Sequence, residues 1–228
     1  MKVMSNTVIY EYPNYYLLTR FKSGFVPNGT QKKEKNKSIK KTEESESLRC
    51  SISRTKRMIK DYILCNDFKY FATWTLKDEL DMKAFKKKLS RMIIDYNARN
   101  KMNIIYLLVF ERGKEKGRLH AHGVISEIPR VYKNDFGYLS SKLFDKLGFN
   151  SYSEIRDKEK CSSYIQKYLT KDIMNEFKGQ RYLCSQGLKL PLEVDRAYLF
   201  NDEYEWDFET EQIQQVKLNK ETLKPIKE

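Results

Sequence analysis

The stretch NIIYLLVFERGKEKGRLHAHGVI, residues 103–125, reads as a strand, a polar turn and a second strand. Residues 103–110 hold the continuous apolar run expected of a buried central strand. Residues 112–118, with Gly113 and Gly117 among charged residues, supply the turn of a hairpin. Past the turn the pattern alternates: Leu119, Ala121 and Ile125 fall on one parity, His120, His122 and Val124 on the other. The chain has only 2 histidines, and both are here. Side chains two apart on a strand share a face, so the imidazoles are close enough to hold one metal ion. In a simple hairpin register Glu111 falls opposite or nearly opposite His120. Two imidazoles and a carboxylate can then converge with positions left open for substrate, a set that also suits zinc hydrolases and non-haem iron oxygenases. An ordinary exposed strand with Glu111 as a turn residue is the bland alternative.

Working outward, residues 70–76 (YFATWTL) are aromatic and β-branched, as in a strand. Residues 78–97 place Leu80, Phe85, Leu89, Met92, Ile93 and Tyr96 on one helical stripe. The core order is therefore strand, helix, strand, strand, an α/β (α+β) fold on a mainly antiparallel sheet. After Pro129 the pattern predicts a helix around 139–147, a short strand near 152–155 and a helix over 158–173. On that last helix Tyr164 and Tyr168 lie four apart on one face, and Lys167 and Lys171 each follow a tyrosine by three residues. Cys161, Ile165, Leu169 and Ile173 form the adjoining apolar stripe. Boundary packing is the commoner fate of such tyrosines. A phenol with its usual pKa near 10 is a poor nucleophile at neutral pH and needs an activated phosphate and a nearby cation. Glu111, His120, His122 and the lysines could supply both.

The 228 residues fit one moderate domain with decorated ends, and 44 Lys plus Arg against 31 Asp plus Glu give +13 and a pI near 9.4. Such a charge implies a polyanionic partner, with nucleic acid the default, and the 16 Tyr and 12 Phe include candidates for base stacking. Cys50, Cys65, Cys161 and Cys184 lack metal or disulfide spacing and read as reduced, intracellular thiols. With no signal-like stretch or membrane-length apolar run, a soluble cytoplasmic protein without membrane contact is expected. The Walker A pattern is absent. Three segments follow: an N-terminal extension and flexible basic linker (1–47), a central domain (48–191) that opens with a basic amphipathic helix over 48–64, and an acidic C-terminal segment (192–228). Within the last, residues 193–211 carry eight acids against Arg196. The first 30 residues are expected to form at most one or two short strands.

Residues 71–76 (FATWTL), Glu111 with residues 118–123 (RLHAHG), and residues 164–171 (YIQKYLTK) resemble the three ordered motifs of the HUH endonucleases. The likeness is to the rolling-circle replication initiators of small phages and plasmids with a two-tyrosine third motif. It spans about residues 50–191, including Arg181, Tyr182 and residues 185–189 (SQGLK). The resemblance implies a split βαβ core, Mg²⁺ or Mn²⁺ on Glu111, His120 and His122, Tyr164 and Tyr168 as nucleophiles, and Lys167 and Lys171 placing the ion or the scissile phosphate. It further implies nicking and rejoining of single-stranded or locally melted origin DNA through a 5′-phosphotyrosine, in the cytoplasm of a prokaryotic host whose helicase and polymerase take part. Two residues depart from the family pattern: Ala121 replaces a bulky apolar residue, and Trp74 stands where leucine is usual. Rival readings are a single-tyrosine transposase or relaxase, although relaxases usually add a third histidine, and a catalytically inactive origin-binding repressor.

Overall fold

The computed structural model describes residues 7–22, 40–77, 81–113, 117–169, 182–194, 204–210 and 213–226, with the backbone alone for 40–48. In chain order the elements are β1 (Thr7–Glu11), β2 (Tyr15–Phe21), α1 (Lys40–Cys65), β3 (Tyr70–Leu76), α2 (Met82–Asn100) and β4 (Tyr106–Arg112). Then come β5 (Leu119–Ile125), β6 (Val131–Lys133), β7 (Leu139–Ser141), β8 (Gly148–Glu154), α3 (Lys158–Gln166), β9 (Leu183–Cys184), β10 (Leu192–Val194), β11 (Phe208–Glu209) and β12 (Ile213–Asn219). They form two units, residues 40–189 and residues 1–39 with 190–228.

The larger unit carries a seven-stranded sheet in the order β6-β7-β8-β3-β5-β4-β9, and every pairing in it is antiparallel. Because β5 lies between β3 and β4, the β3-α2-β4 crossover is a split βαβ unit. The period of two along each strand sorts the core into two layers. Ala72, Trp74, Tyr106, Leu108, Phe110, Leu119, Ala121 and Ile125 pack with Phe85, Leu89 and Ile93 of α2. On the opposite face Leu107, Val109 and Val124 pack with Ile59 and Ile63 of α1 and Ile165 of α3. Both histidines and Glu111 therefore belong to the face covered by α1 and α3. The α2 helix starts where the Asp81 carboxylate accepts the Ala84 N–H at 2.6 Å and ends at Lys101 in the left-handed conformation, φ 51°.

The two departures from the family pattern compensate each other. Trp74 and Ala121 are register partners, and Ala121 faces Phe110 on its other side. Only a small residue fits between an indole and a phenyl ring. Trp74 in turn meets Phe85, Phe144 and Tyr152 edge-on, at 6.3, 5.9 and 5.5 Å between ring centroids. Ala121→Leu is expected to overpack this layer and cost about 2 kcal/mol, with part of the loss recovered in the Trp74→Leu double variant. Urea midpoints of the four proteins measure that coupling.

Several local expectations need correction. Residues 139–147 form β7 and turns, not a helix. The Asn134 side chain accepts the N–H groups of Phe136 and Tyr138 at 3.0 Å, and Gly137 turns the chain at φ 79°, so a hairpin replaces the helix. The helix foreseen over 158–173 runs as α3 only to Gln166. Beyond it the amides of Lys167, Tyr168 and Leu169 reach back three residues, the tighter 3₁₀ pattern of a helix end. Ile173 lies outside the described residues. α1 begins at Lys40, inside the segment assigned to a linker, because a Lys- and Glu-rich run with no apolar face can still extend a docked helix.

At the far end of α1, Asn66 ties down a distant segment. Its side chain accepts the Lys189 amide at 2.9 Å and donates to the carbonyls of Lys189 and Tyr62 at 2.9 and 2.8 Å. Lys158 Nζ donates to the Asn66 carbonyl at 2.7 Å, so the start of α3 is tied to the same point.

The second unit is a five-stranded antiparallel sheet, β10-β1-β2-β12-β11, with Ile9, Leu18, Val216 and Leu218 as its core. Segments that the sequence suggested were separate extensions thus pair with each other. The alternation in residues 213–219 is masked by the net charge of the acidic run before it.

Candidate active site

The hairpin holds its predicted register: Glu111 is the direct partner of His120 and Val109 that of His122. A second strand completes the site. On β3, Thr75 pairs with His120 and Thr73 with His122, so a Thr-x-Thr run lies beside the His-x-His run on the same face. Each threonine Oγ1 stands 3.3 Å from the Nδ1 of its histidine. The two imidazoles are parallel within 5°, with centroids 6.2 Å apart.

Glu111 reaches diagonally to the second histidine, with Oε1 2.8 Å from His122 Nε2. An ionised carboxylate only accepts, so Nε2 carries the hydrogen here and Nδ1 accepts from the Thr73 hydroxyl. Burial lowers the pKa of His122, and the charge of His120 adds to that shift, while the hydrogen bond to Glu111 opposes it. The ring is therefore neutral at pH 7, the form that can bind a metal.

The tyrosines come down on this histidine. Tyr168 stacks flat on His122, with centroids 4.1 Å apart and 4° between planes, and its hydroxyl donates to the Tyr164 hydroxyl at 2.8 Å. Phe71 wedges between elements, 5.5 Å from the Tyr164 ring and 6.4 Å from His122. Burial pushes the Tyr168 phenol far above its ordinary pKa, and the hydrogen bond to Tyr164 and the negative charges of Tyr164 and Glu111 add to the effect. Tyr164 is 47 % exposed. Lys167 lies with Nζ 5.6 Å from the Tyr164 ring centroid, on the tyrosine side of the site. Lys171 lies outside the described residues.

The structure therefore brings together Glu111, His120, His122, Tyr164, Tyr168 and Lys167. Sequence reasoning marks residues 71–76 but gives Phe71, Thr73 and Thr75 no role. The signal available is the shared period of two, Thr-x-Thr matching His-x-His.

The donor set suits a divalent cation, with two imidazole nitrogens and one carboxylate. A hydroxyl beside each Nδ1 can accept an Nδ1–H and leave Nε2 as ligand, the partner arrangement of metal-binding histidines. Gly113 keeps the approach to His120 clear, since a Cβ there would stand 2.8 Å from His120 Nε2. Among the described residues no three His, Cys, Asp or Glu side chains are already drawn together as a ligand cluster. In this arrangement Glu111 instead occupies His122 Nε2.

Residues 69–173 match the model of a family described as Replication-associated protein ORF2, a family of rolling-circle replication initiators. The match runs from β3 to beyond α3, covers just under half of the chain and contains every candidate site residue. It supports a replication-associated protein. No curated protein and no solved structure matches the chain.

Proposed function

We propose that this replication-associated chain is a two-tyrosine nicking and joining enzyme of the HUH type, acting on single-stranded origin DNA. The observation that carries the reading is the contact between the nucleophile and ligand candidates. Tyr168 stacks on His122, His122 bonds Glu111, and the two tyrosine hydroxyls touch. For two boundary tyrosines this placement would be coincidental, whereas for attack on a phosphodiester it is required.

In the reaction the Tyr164 oxygen attacks phosphorus as its phenolic proton departs. A Tyr–O–P bond forms, the bond from phosphorus to the 3′ oxygen breaks, and that oxygen takes up a proton. The products are a 5′-phosphotyrosine and a free 3′-hydroxyl, and the bond energy is kept for rejoining. Tyr164 attacks first in this reading, because it is exposed and accepts the hydrogen bond that Tyr168 donates, while Tyr168 holds its own proton tightly. Tyr168 then serves the second exchange. His120, His122 and Glu111 would hold Mg²⁺ or Mn²⁺, Glu111 releasing His122 Nε2 as they do so. The ion supplies positive charge to the phosphate. Lys167, and by its spacing Lys171, add charge on the tyrosine side. With no Walker A motif in the sequence, strand separation falls to a host helicase, and the freed 3′ end to a host polymerase.

The test is a denaturing gel of the protein with end-labelled single-stranded candidate origins and Mn²⁺. A covalent adduct is expected, lost in the Tyr164→Phe/Tyr168→Phe double variant and reduced more by Tyr164→Phe than by Tyr168→Phe. Absence of any tyrosine-dependent adduct across candidate origins would sink the nuclease reading and favour an origin-binding repressor.

The threonine pair has its own expected result. Thr73→Val keeps the shape and removes the hydroxyl, and should weaken Mn²⁺ binding about 10- to 100-fold in calorimetry, with Thr73→Ser close to the parent. The ¹⁵N shifts of the His122 ring, read without metal, should move in the valine variant alone.

A further inference from the structure

Antiparallel register fixes one transverse row across the covered face of the large sheet. Glu111 on β4 pairs with His120 on β5, His120 with Thr75 on β3, and Thr75 with Phe149 on β8. Direct partners point to the same face, so Phe149 lies in line with the candidate catalytic side chains. Two strand spacings put it about 10 Å from His120. That is the reach of a nucleobase one or two positions from a phosphate held at His120.

Phe149 is 44 % exposed, although its row partners belong to the site. Phe136, at the tip of the turn between β6 and β7, is 76 % exposed and meets it edge-on, with centroids 6.2 Å apart at 76°. The two rings make an open aromatic corner. Phe149 also lines a cleft of ≈ 500 Å³ with Thr75, Lys77, Arg118 and Asp145, so the cleft and the site share Thr75. Lys77 and Arg118 give it positive charge. The Asp145 carboxylate, which accepts from Asn150 Nδ2 at 3.0 Å and from the Tyr132 hydroxyl at 3.2 Å, disfavours a phosphate at its own end. It would accept instead from the N–H groups on a base edge.

We infer that Phe149 and Phe136 form a base-stacking subsite that seats a nucleobase of single-stranded DNA next to the phosphate at His120, with Lys77 and Arg118 on the flanking backbone. An aromatic face takes any base, and a charged rim holds the strand, the general construction of single-strand binding surfaces. The inference rests on the proposed DNA-cutting function for its substrate, and it adds where the strand runs: across the sheet from β4 towards β8.

The test separates the two by working without metal. Full-length protein is titrated into a fluorescein-labelled mixed-sequence single strand in EDTA, and into strands carrying 2-aminopurine at successive positions. Phe149→Ala and Phe136→Ala should each weaken binding roughly tenfold, and 2-aminopurine quenching should be relieved in Phe149→Ala. Phe149→Trp should restore both, which also guards against misfolding of the alanine variant. If Phe149→Ala binds within twofold of the parent with quenching unchanged, the subsite is overturned, whether or not the protein forms a tyrosine adduct with Mn²⁺. If quenching depends on Phe149 but no adduct ever forms, the subsite stands on a protein that binds DNA without cutting it.

Discussion

His120→Ala should lower metal-dependent adduct formation about a thousandfold while leaving single-strand binding within about twofold. Loss of a ligand that helps hold the ion removes several kcal/mol of transition-state stabilisation, and each 1.36 kcal/mol is tenfold in rate. DNA affinity draws instead on the lysines and arginines of a chain carrying +13, and it should fall with salt to the same degree in parent and variant. His120 suits the experiment better than His122, which is buried and stacked between Tyr168 and Phe71. Single-turnover gels and anisotropy titrations at several salt concentrations separate the two quantities. A parallel loss of cutting and binding would make the histidines structural.

The largest effect on stability should come from Gly123→Ala. A Cβ at this position would stand 1.9 Å from the Leu107 carbonyl oxygen and 2.8 Å from the Leu108 Cα, both backbone atoms that no rotamer change can move. β5 must separate from β4 to accommodate it, and the two strands carry all three ligand candidates. A cost of about 3 kcal/mol or more is expected, a large share of the roughly 5 to 15 typical of a domain. Gly137→Ala is the control: its φ of 79° makes alanine strained, but there is open space around the Cβ, so about 1 kcal/mol is expected. Urea unfolding followed by circular dichroism gives both values. Equal, small losses would mean that β4 and β5 yield more easily than their register suggests.

The parts of the site that could be read in the sequence were those set by short-range periodicity. A turn of known length and a period of two were enough to put Glu111 across from His120, and the structure has them as direct partners. The spacing of four put Tyr164 and Tyr168 together, although the helix ends at Gln166 and Tyr168 sits in the turn beyond it. Thr73 and Thr75 reach their histidines from 49 and 45 residues away, and the pairing of strands that are not neighbours in sequence leaves no local trace. The same holds for the terminal sheet, where Leu18 meets Val216. Residues 139–147 failed for a different reason: apolar residues at helical spacing were overruled by the turn chemistry of Asn134 and Gly137.

The smaller sheet has an implication for how the protein emerges from the ribosome. β1 and β2 are synthesised first, yet three of the five strands in their sheet come after the whole of residues 40–189. Until then they can form only a two-stranded hairpin, which is marginal alone in water. The larger unit has all its partners in one continuous stretch and can fold during translation, before the first strands have theirs. Nascent chains stalled after residue 189 should therefore resist protease across β3 to β9 while remaining cleavable within β1 and β2.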